Sequence, residues 1–213
     1  MTHLSNQKKL FVLSLLFIVL FGLAYFYMKR EVDNDREIKI DGVYVSKPTA
    51  IQNFQLTDNH GQSFDKAKMR GKWTMLFFGF TNCGMVCPTT MSELNKMYGK
   101  LSKELPNKEL PQVVLISVDP QRDTVEKINA YVNAFNPHFI GLRGDESQIA
   151  NLKKELHIVS AKMQTGDGKN GHYTINHSAE IMLFNPDAKL QAFLSYPHQA
   201  DQLVLDYKNI LGA

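Results

Sequence analysis

The chain has 213 residues, with 24 basic and 21 acidic side chains, a net charge of +3 and 44% hydrophobic residues. Charges of both signs are mixed along it, with no basic tract and no patch of interleaved aromatics, so nucleic-acid binding is not indicated. Only two cysteines are present, which excludes a disulfide-dense scaffold, and the length allows one well-buried domain beyond the N-terminal segment.

Leu10 to Met28 is a run of 19 residues without a charge, apolar or aromatic except for Ser14. At 1.5 Å per residue such a helix spans about 28 Å, close to the roughly 30 Å hydrocarbon core of a bilayer. This predicts a transmembrane anchor over residues 10–28, with residues 1–9 as a cytoplasmic tail. Lys8 and Lys9 precede the run and Lys29 and Arg30 follow it, so flanking charge alone does not orient it. The acidic stretch from Glu31 to Asp35 and the thiol pair place the globular part in an oxidising compartment. The expected location is therefore the inner (cytoplasmic) membrane, single-pass, with the soluble domain on the periplasmic side. A cleaved signal peptide is the alternative, with Gly22-Leu23-Ala24 as a processing site, although the run continues through Tyr25, Phe26 and Tyr27. Residues 29–48 read as a polar tether and 49–213 as the folded domain.

Beyond the tether, strand and helix patterns alternate. Phe54-Gln55-Leu56 and Gln62-Ser63-Phe64 flank the turn signal Asp58-Asn59-His60-Gly61 and predict a hairpin. Trp73 to Phe80 is the first core strand. Pro88 to Leu105 carries a helical stripe of Met91, Leu94, Met97, Tyr98 and Leu101. Val113 to Val118 is a continuous apolar run, as in a strand buried on both faces, and Asp119-Pro120 stops it. Helices over 124–135 and 146–156 alternate with strands over 139–142 and 158–163. Gln164 to Asn176 reads as a polar, Gly-rich loop. Ile181 to Phe184 and Leu190 to Leu194 form a second hairpin across Asn185-Pro186-Asp187, and a helix over 200–211 closes the chain. This order predicts an α/β sandwich with a mixed central sheet in the thioredoxin order, its cysteines following the first core strand.

Those cysteines lie in Thr81-Asn82-Cys83-Gly84-Met85-Val86-Cys87-Pro88, at a strand-to-helix junction. Helical positions i and i+4 hold Cβ atoms roughly 5–6 Å apart, whereas a disulfide needs about 3.5–4.5 Å. A metal ion between two thiolates removes that conflict. Pro88 suits the first helical position and disfavours α geometry at Cys87, which puts Cys87 at the N-cap and Cys83 in the loop above it. Both sulfurs then face the positive end of the helix, which favours thiolate. Soft-metal binding and thiol redox chemistry both stand at this point, with a structural disulfide as the third reading.

Two thiolates alone make a poor closed metal site, so a third ligand is worth seeking, and imidazole is a suitable neutral partner. Of seven histidines, His3 falls across the membrane, His60 sits in a turn, and His157 and His198 lie at helix ends. His172 and His177 lie in or beside the loop before the late hairpin, which a thioredoxin-like sheet brings next to the cysteine turn. Asn176-His177-Ser178 also matches a glycosylation triplet, a frequent chance pattern. Asp119, at the edge of its strand, is a candidate for tuning thiol protonation. Met85 is a candidate thioether contact or a plain loop residue, and Phe77, Phe78 and Phe80 read as core.

The chain resembles the Sco/SenC family of membrane-anchored, thioredoxin-fold proteins implicated in assembling the dinuclear copper centre of cytochrome c oxidase. The resemblance covers roughly Ala50 to the C-terminus. It rests on Phe77-Phe78-Gly79-Phe80-Thr81-Asn82-Cys83, the three-residue spacer closed by Pro88, and Ser117-Val118-Asp119-Pro120 with Arg122-Asp123-Thr124. Phe135-Asn136-Pro137, Phe139-Ile140-Gly141-Leu142, and His177-Ser178 before an apolar strand complete it. The resemblance implies copper as the metal, as Cu(I), Cu(II) or both, with Cys83, Cys87 and His177 as ligands. The implied partners are the copper-bearing subunit of cytochrome c oxidase, other copper chaperones, thiol reductants and the membrane. Two departures stand out. The spacer is Gly84-Met85-Val86 where the family commonly shows Pro-Asp-Val, and Asn176 stands where Asp often precedes the histidine. Both remove negative charge near the site, an expectation of weakened Cu(II) binding relative to Cu(I).

The functional expectation is copper delivery to that oxidase centre, with reduction of its thiols as an accompanying role. The alternative from a different class is a membrane-tethered thiol-disulfide oxidoreductase or peroxidase, in which Cys83 and Cys87 are catalytic and His177 is dispensable. Against it, the usual dithiol oxidoreductase spaces its cysteines by two residues rather than three.

Overall fold

A computed structural model describes residues 3–34, 38–164 and 173–212. The chain divides into an N-terminal helical unit ending at Ile38 and a compact unit from Lys39 to Gly212. Helix α1 (His3–Asn34) runs for 32 residues. Its described side chains, Phe11 and those from Leu13 to Tyr27, are exposed. Among the described residues no helix is long and apolar enough to cross a membrane. The span expected over 10–28 reaches beyond them, since the side chains of Leu10, Val12 and Met28 lie outside the described set.

In the compact unit, β1 (Gly42–Ala50) is followed by the hairpin of β2 (Gln55–Asp58) and β3 (Ser63–Asp65). Next come β4 (Thr74–Gly79), α2 (Val86–Glu104), β5 (Gln112–Ser117), α3 (Val125–Phe135), β6 (Ile140–Arg143) and α4 (Glu146–Glu155). The chain continues through β7 (Ser160–Gln164), β8 (Tyr173–His177), β9 (Ile181–Phe184), β10 (Lys189–Leu194) and α5 (Ala200–Leu211). Eight strands form one mixed sheet in the order β1-β10-β9-β4-β5-β6-β2-β3, while β7 and β8 pair separately. Strands β4, β5 and β6 are mutually parallel, and β9 runs antiparallel to β4.

Burial explains the central strands. Every residue of β4 and β9 is buried, as are all residues of β5 except Gln112. Two-sided burial accounts for their unbroken apolar runs. The amphipathic α2 places Met91, Leu94, Met97 and Leu101 in the core and packs on α5 and α3. Thr124 caps α3, and Asp145 with Gln148 forms a capping box on α4, so both helices start where donors are satisfied.

Two sequence expectations are corrected here. Residues 42–48, assigned to the tether, belong to β1, which pairs with β10 as an edge strand. Only Val43-Tyr44-Val45 is strand-like there, ahead of Ser46-Lys47-Pro48, and the segment is half-exposed, as suits an edge strand that gains most of its order from backbone pairing. Residues 173–176, assigned to a loop, belong to β8 and pair with β7 from Ser160↔His177 to Gln164↔Tyr173. Alternating burial along Tyr173-Thr174-Ile175-Asn176-His177 is weak, since only Ile175 is fully buried, and the polar run masked it.

Candidate metal centre

Strand β4 ends at Gly79 with its backbone in the sheet, and the chain then turns through Phe80–Met85 into α2. The helix starts at Val86 with Met85 as its N-cap, so Cys87 lies in the first turn rather than at the cap. Pro88 follows it, still within the turn whose amides have no intrahelical acceptor, and so is tolerated there. No side chain of Met85 caps the helix. Instead the Cys87 amide donates to the Cys83 sulfur at 3.4 Å. Cys83 thus occupies the anion-accepting position of a helix N-terminus.

Cys87 is wholly buried, and Gly79 is the reason its sulfur fits. A Cβ at position 79 would lie 3.1 Å from Cys87 Sγ and 2.8 Å from Leu115 Cδ1. Cys83 is partly exposed above it, and neither cysteine is in a disulfide.

The third donor arrives from the end of β8. His177 Nε2 lies 3.3 Å from Cys87 Sγ. Its Nδ1–H donates to the Ser178 carbonyl at 2.7 Å, which turns Nε2 towards the sulfurs as the ligand atom. The ring packs edge-on against Phe77 and Phe80, with centroids 6.0 and 5.9 Å away. Among the described residues, Cys83, Cys87 and His177 are the one group of metal-binding side chains whose ligand atoms converge, all within 4.8 Å of one another.

Electrostatics separate the two thiols. The Cys83 thiol is lowered from 9.0 to about 4, chiefly by the hydrogen bond from the Cys87 thiol, with help from backbone amides, against the opposing effect of burial. Cys87 is pushed up by that same bond, by burial and by the Cys83 charge. The metal-free pair therefore holds one thiolate and one thiol, titrating as a unit.

Around this triad lies a buried polar frame that sequence reasoning largely missed. Asp123, fully buried, accepts from the Thr81 amide at 3.1 Å, the Thr81 hydroxyl at 2.6 Å and the Ser117 hydroxyl at 2.5 Å. It thereby holds the start of the cysteine turn to the end of β5. Asp119, the acid expected near the thiols, is also fully buried, but it pairs with Arg122 and accepts from the Tyr173 hydroxyl at 2.7 Å. The carboxylate whose charge acts on Cys87 is Asp123. Both acids sit in one short segment after β5, and burial of two carboxylates so close in sequence could be decided only by their partners.

The other histidines are placed elsewhere. His60 is exposed in the β2–β3 turn, and His138 stacks on Tyr98. His157 ends α4 with φ at 55°, and His198 is buried against the Thr90 hydroxyl. His172 lies outside the described residues. Met85 is 74% exposed beside the site, and Asn176 is exposed too. Phe77, Phe78 and Phe80 are fully buried, as a core reading requires.

Two thiolates and one imidazole make a soft donor set, suited to a thiophilic ion in a three-coordinate site. The SCO1/SenC family profile matches residues 44–212. A Stutzerimonas stutzeri protein described as a candidate copper-binding protein is 36% identical over 174 residues, spanning 79% of this chain and 82% of that protein. The mitochondrial SCO2 homologue of Mus musculus is 33% identical over 76% of this chain, which spans 62% of that longer relative. Among solved structures, Bradyrhizobium japonicum ScoI with copper bound superposes with a TM-score of 0.67 at 32% identity, covering 75% of this chain and 98% of that one. With a thioredoxin-like mixed sheet, a Cys-Cys-His triad beside the end of its central strand β4 and a profile match over residues 44–212, this chain belongs to the SCO1/SenC family.

Proposed function

We propose that this chain is a membrane-anchored copper-binding protein that delivers copper to the dinuclear copper site of cytochrome c oxidase, held by α1 in the inner membrane with its compact unit on the periplasmic side. The observation that carries the reading is the convergence of Cys83, Cys87 and His177 ligand atoms within 4.8 Å. The copper named in the relatives' descriptions suits that donor set. The apolar run within α1, flanked by lysines and an arginine, supports the anchor.

Copper here is cargo, and each residue has a part in taking it up. Cys83 is already a thiolate and forms the first attachment. Cys87 must give up its proton, so uptake releases acid and weakens as pH falls. His177 presents Nε2 because Ser178 holds the other nitrogen's proton. The imidazole comes from a two-stranded arm rather than the central sheet, which makes it the ligand suited to leave first when cargo passes on. The chain from residue 39 onward, prepared under reducing conditions, tests this. Copper X-ray absorption is expected to report two sulfurs and one nitrogen per ion, and a copper-free product after loading would end the reading.

A second reading rests on one observation, the low-pKa, partly exposed Cys83 beside a buried thiol. That is the arrangement of a thiolate able to attack a disulfide. The two thiols would then give up two electrons and two protons, forming a Cys83–Cys87 bond and leaving two thiols on the partner. His177→Ala separates the readings. Cu(II) retention should fall by at least ~100-fold, beyond the 10–100-fold typical of outer-shell changes, with disulfide exchange intact only if reductase chemistry is independent of the metal site. Retained Cu(II) in that variant would remove His177 from the ligand set.

A further inference from the structure

We infer that Tyr173, Arg122 and Asp119 form a clamp that positions His177 against the two cysteines and so sets how the site discriminates Cu(II) from Cu(I). The inference rests on the copper reading above for its cargo and on metal-free geometry for the clamp.

The argument begins with β8. Tyr173, Ile175 and His177 alternate along it and so share one face, turned towards the body of the domain. His177 reaches Cys87 at one end of that face. Tyr173 is caught at the other, where its hydroxyl donates to the buried Asp119 carboxylate at 2.7 Å. Arg122 lies flat over the Tyr173 ring, with its guanidinium carbon 3.6 Å from the centroid, and Nη1 donates to the Tyr173 carbonyl at 2.9 Å. The same guanidinium pairs with Asp119 and sits 5.8 Å from the Phe80 ring, the ring against which His177 packs. Thus two side chains from the segment after β5 grip one residue of the arm through three contacts.

The space between the two ends makes this grip necessary. Ile175 and Lys162 of the arm, with Val118, Pro120 and Ile149 opposite, line a partly polar, solvent-open cleft of about 240 Å³. Apolar packing under the middle of the arm is therefore partial, and the dispersion contacts that a closed core would supply do not fix its position there. The arm is also outside the eight-stranded sheet, so no ladder holds it there. Polar contacts at Tyr173 set its register, alongside the hydrogen bonds of Lys153 with Ser160 and of Lys162 with Gln121.

The clamp is joined to the cysteine side through hydrogen bonds. The Asp119 amide donates to the Ser117 hydroxyl at 3.1 Å, and that hydroxyl donates to Asp123 at 2.5 Å. Asp123 in turn holds Thr81, two residues before Cys83. One continuous frame thus registers the arm bearing the nitrogen against the turn bearing the sulfurs. Cu(I) is satisfied by two thiolates, whereas Cu(II) favours the added imidazole nitrogen. Loosening the arm should therefore weaken Cu(II) more than Cu(I).

Tyr173→Phe in the full chain tests this, because it keeps the ring under Arg122 and removes only the bond to Asp119. Arg122→Lys serves as a second variant, retaining charge while losing the stack. Expected for both is about a tenfold weaker Cu(II) affinity, the lower end of outer-shell effects, with Cu(I) affinity within about threefold of the parent. In a His177→Ala background, Tyr173→Phe should change Cu(II) affinity no further, because the clamp acts only through that imidazole. In the metal-free protein, amide exchange over Tyr173–His177 should quicken while exchange in α2 stays as before. Equal losses for both oxidation states, an additive loss in the His177→Ala background, or unchanged exchange in the arm would overturn the inference. If the parent chain takes up no copper, the proposed function falls, and the exchange comparison alone then decides whether the clamp positions the arm.

Discussion

The two halves of the site are built differently. Cys83 and Cys87 stand where a wholly buried strand, β4, feeds a long helix, and a buried carboxylate, Asp123, pins the turn from below. His177 stands at the end of a two-stranded arm with one buried residue, Ile175, and a solvent-open cleft beside it. A rigid pair of sulfurs gives retention, because the attachment is preorganised. A nitrogen on a loosely seated arm gives a ligand that can be withdrawn. Stability concentrates in cores and is lowest in elements with few buried contacts, and binding elements that must move come from the low end.

The comparison breaks most clearly at Cys87. Cys87→Ser keeps the volume of a wholly buried side chain but replaces a soft ligand with a hard one, so copper retention should fall by at least ~100-fold. Competition with a chromophoric copper chelator measures it, and parental retention would show that the sulfurs are not the fixed half. The next effect is on folding. Gly79→Ala puts a methyl 3.1 Å from Cys87 Sγ and 2.8 Å from Leu115 Cδ1, and overpacking of this kind destabilises by about 1–3 kcal/mol. Asn176→Ala, at an exposed position on the arm, should alter stability by less than about 0.5 kcal/mol. Equal midpoint shifts for the two in urea unfolding would mean that the halves do not differ in rigidity.

The smallest effect is in pH. Cys83 has its folded pKa lowered to about 4, so its thiolate favours the folded state at and above the ordinary thiol range. That contribution shrinks progressively as pH falls from the ordinary thiol range and is gone below about 4, although the thiolate itself persists through neutral pH. Alkylation of the metal-free protein should therefore label Cys83 at pH 6 and leave Cys87, buried and with its pKa raised, largely unlabelled. Mass spectrometry of the labelled peptide reads the ratio, and equal labelling would contradict the division into one thiolate and one thiol.

Much of this was visible before any coordinates. The apolar runs of β4, β5 and β9, the stripe of α2 and the turns of both main-sheet hairpins appear in local pattern, because two-sided burial and helical periodicity act over a few residues. The cysteine turn was legible for the same reason, since two ligands four positions apart on a strand-to-helix junction are a local arrangement. Strands β1 and β8 were not: β1 is ordered by β10, far along the chain, and β8 is a half-exposed strand with a single buried position. The helix start was misplaced by two residues: Cys83 supplies the capping acceptor, so α2 could begin before Pro88.

What the sequence by itself determined is the chemistry on offer: a single thiol pair beside a proline-bounded helix start, a choice of imidazoles, and a charge-free apolar run near the N-terminus. Tertiary structure decided which imidazole joins the sulfurs, which of the two buried acids acts on them, and how the arm is held. The reason is physical. Those outcomes depend on contacts between residues 42 to 90 positions apart, such as Thr81 with Asp123 and Cys87 with His177, which no local pattern encodes.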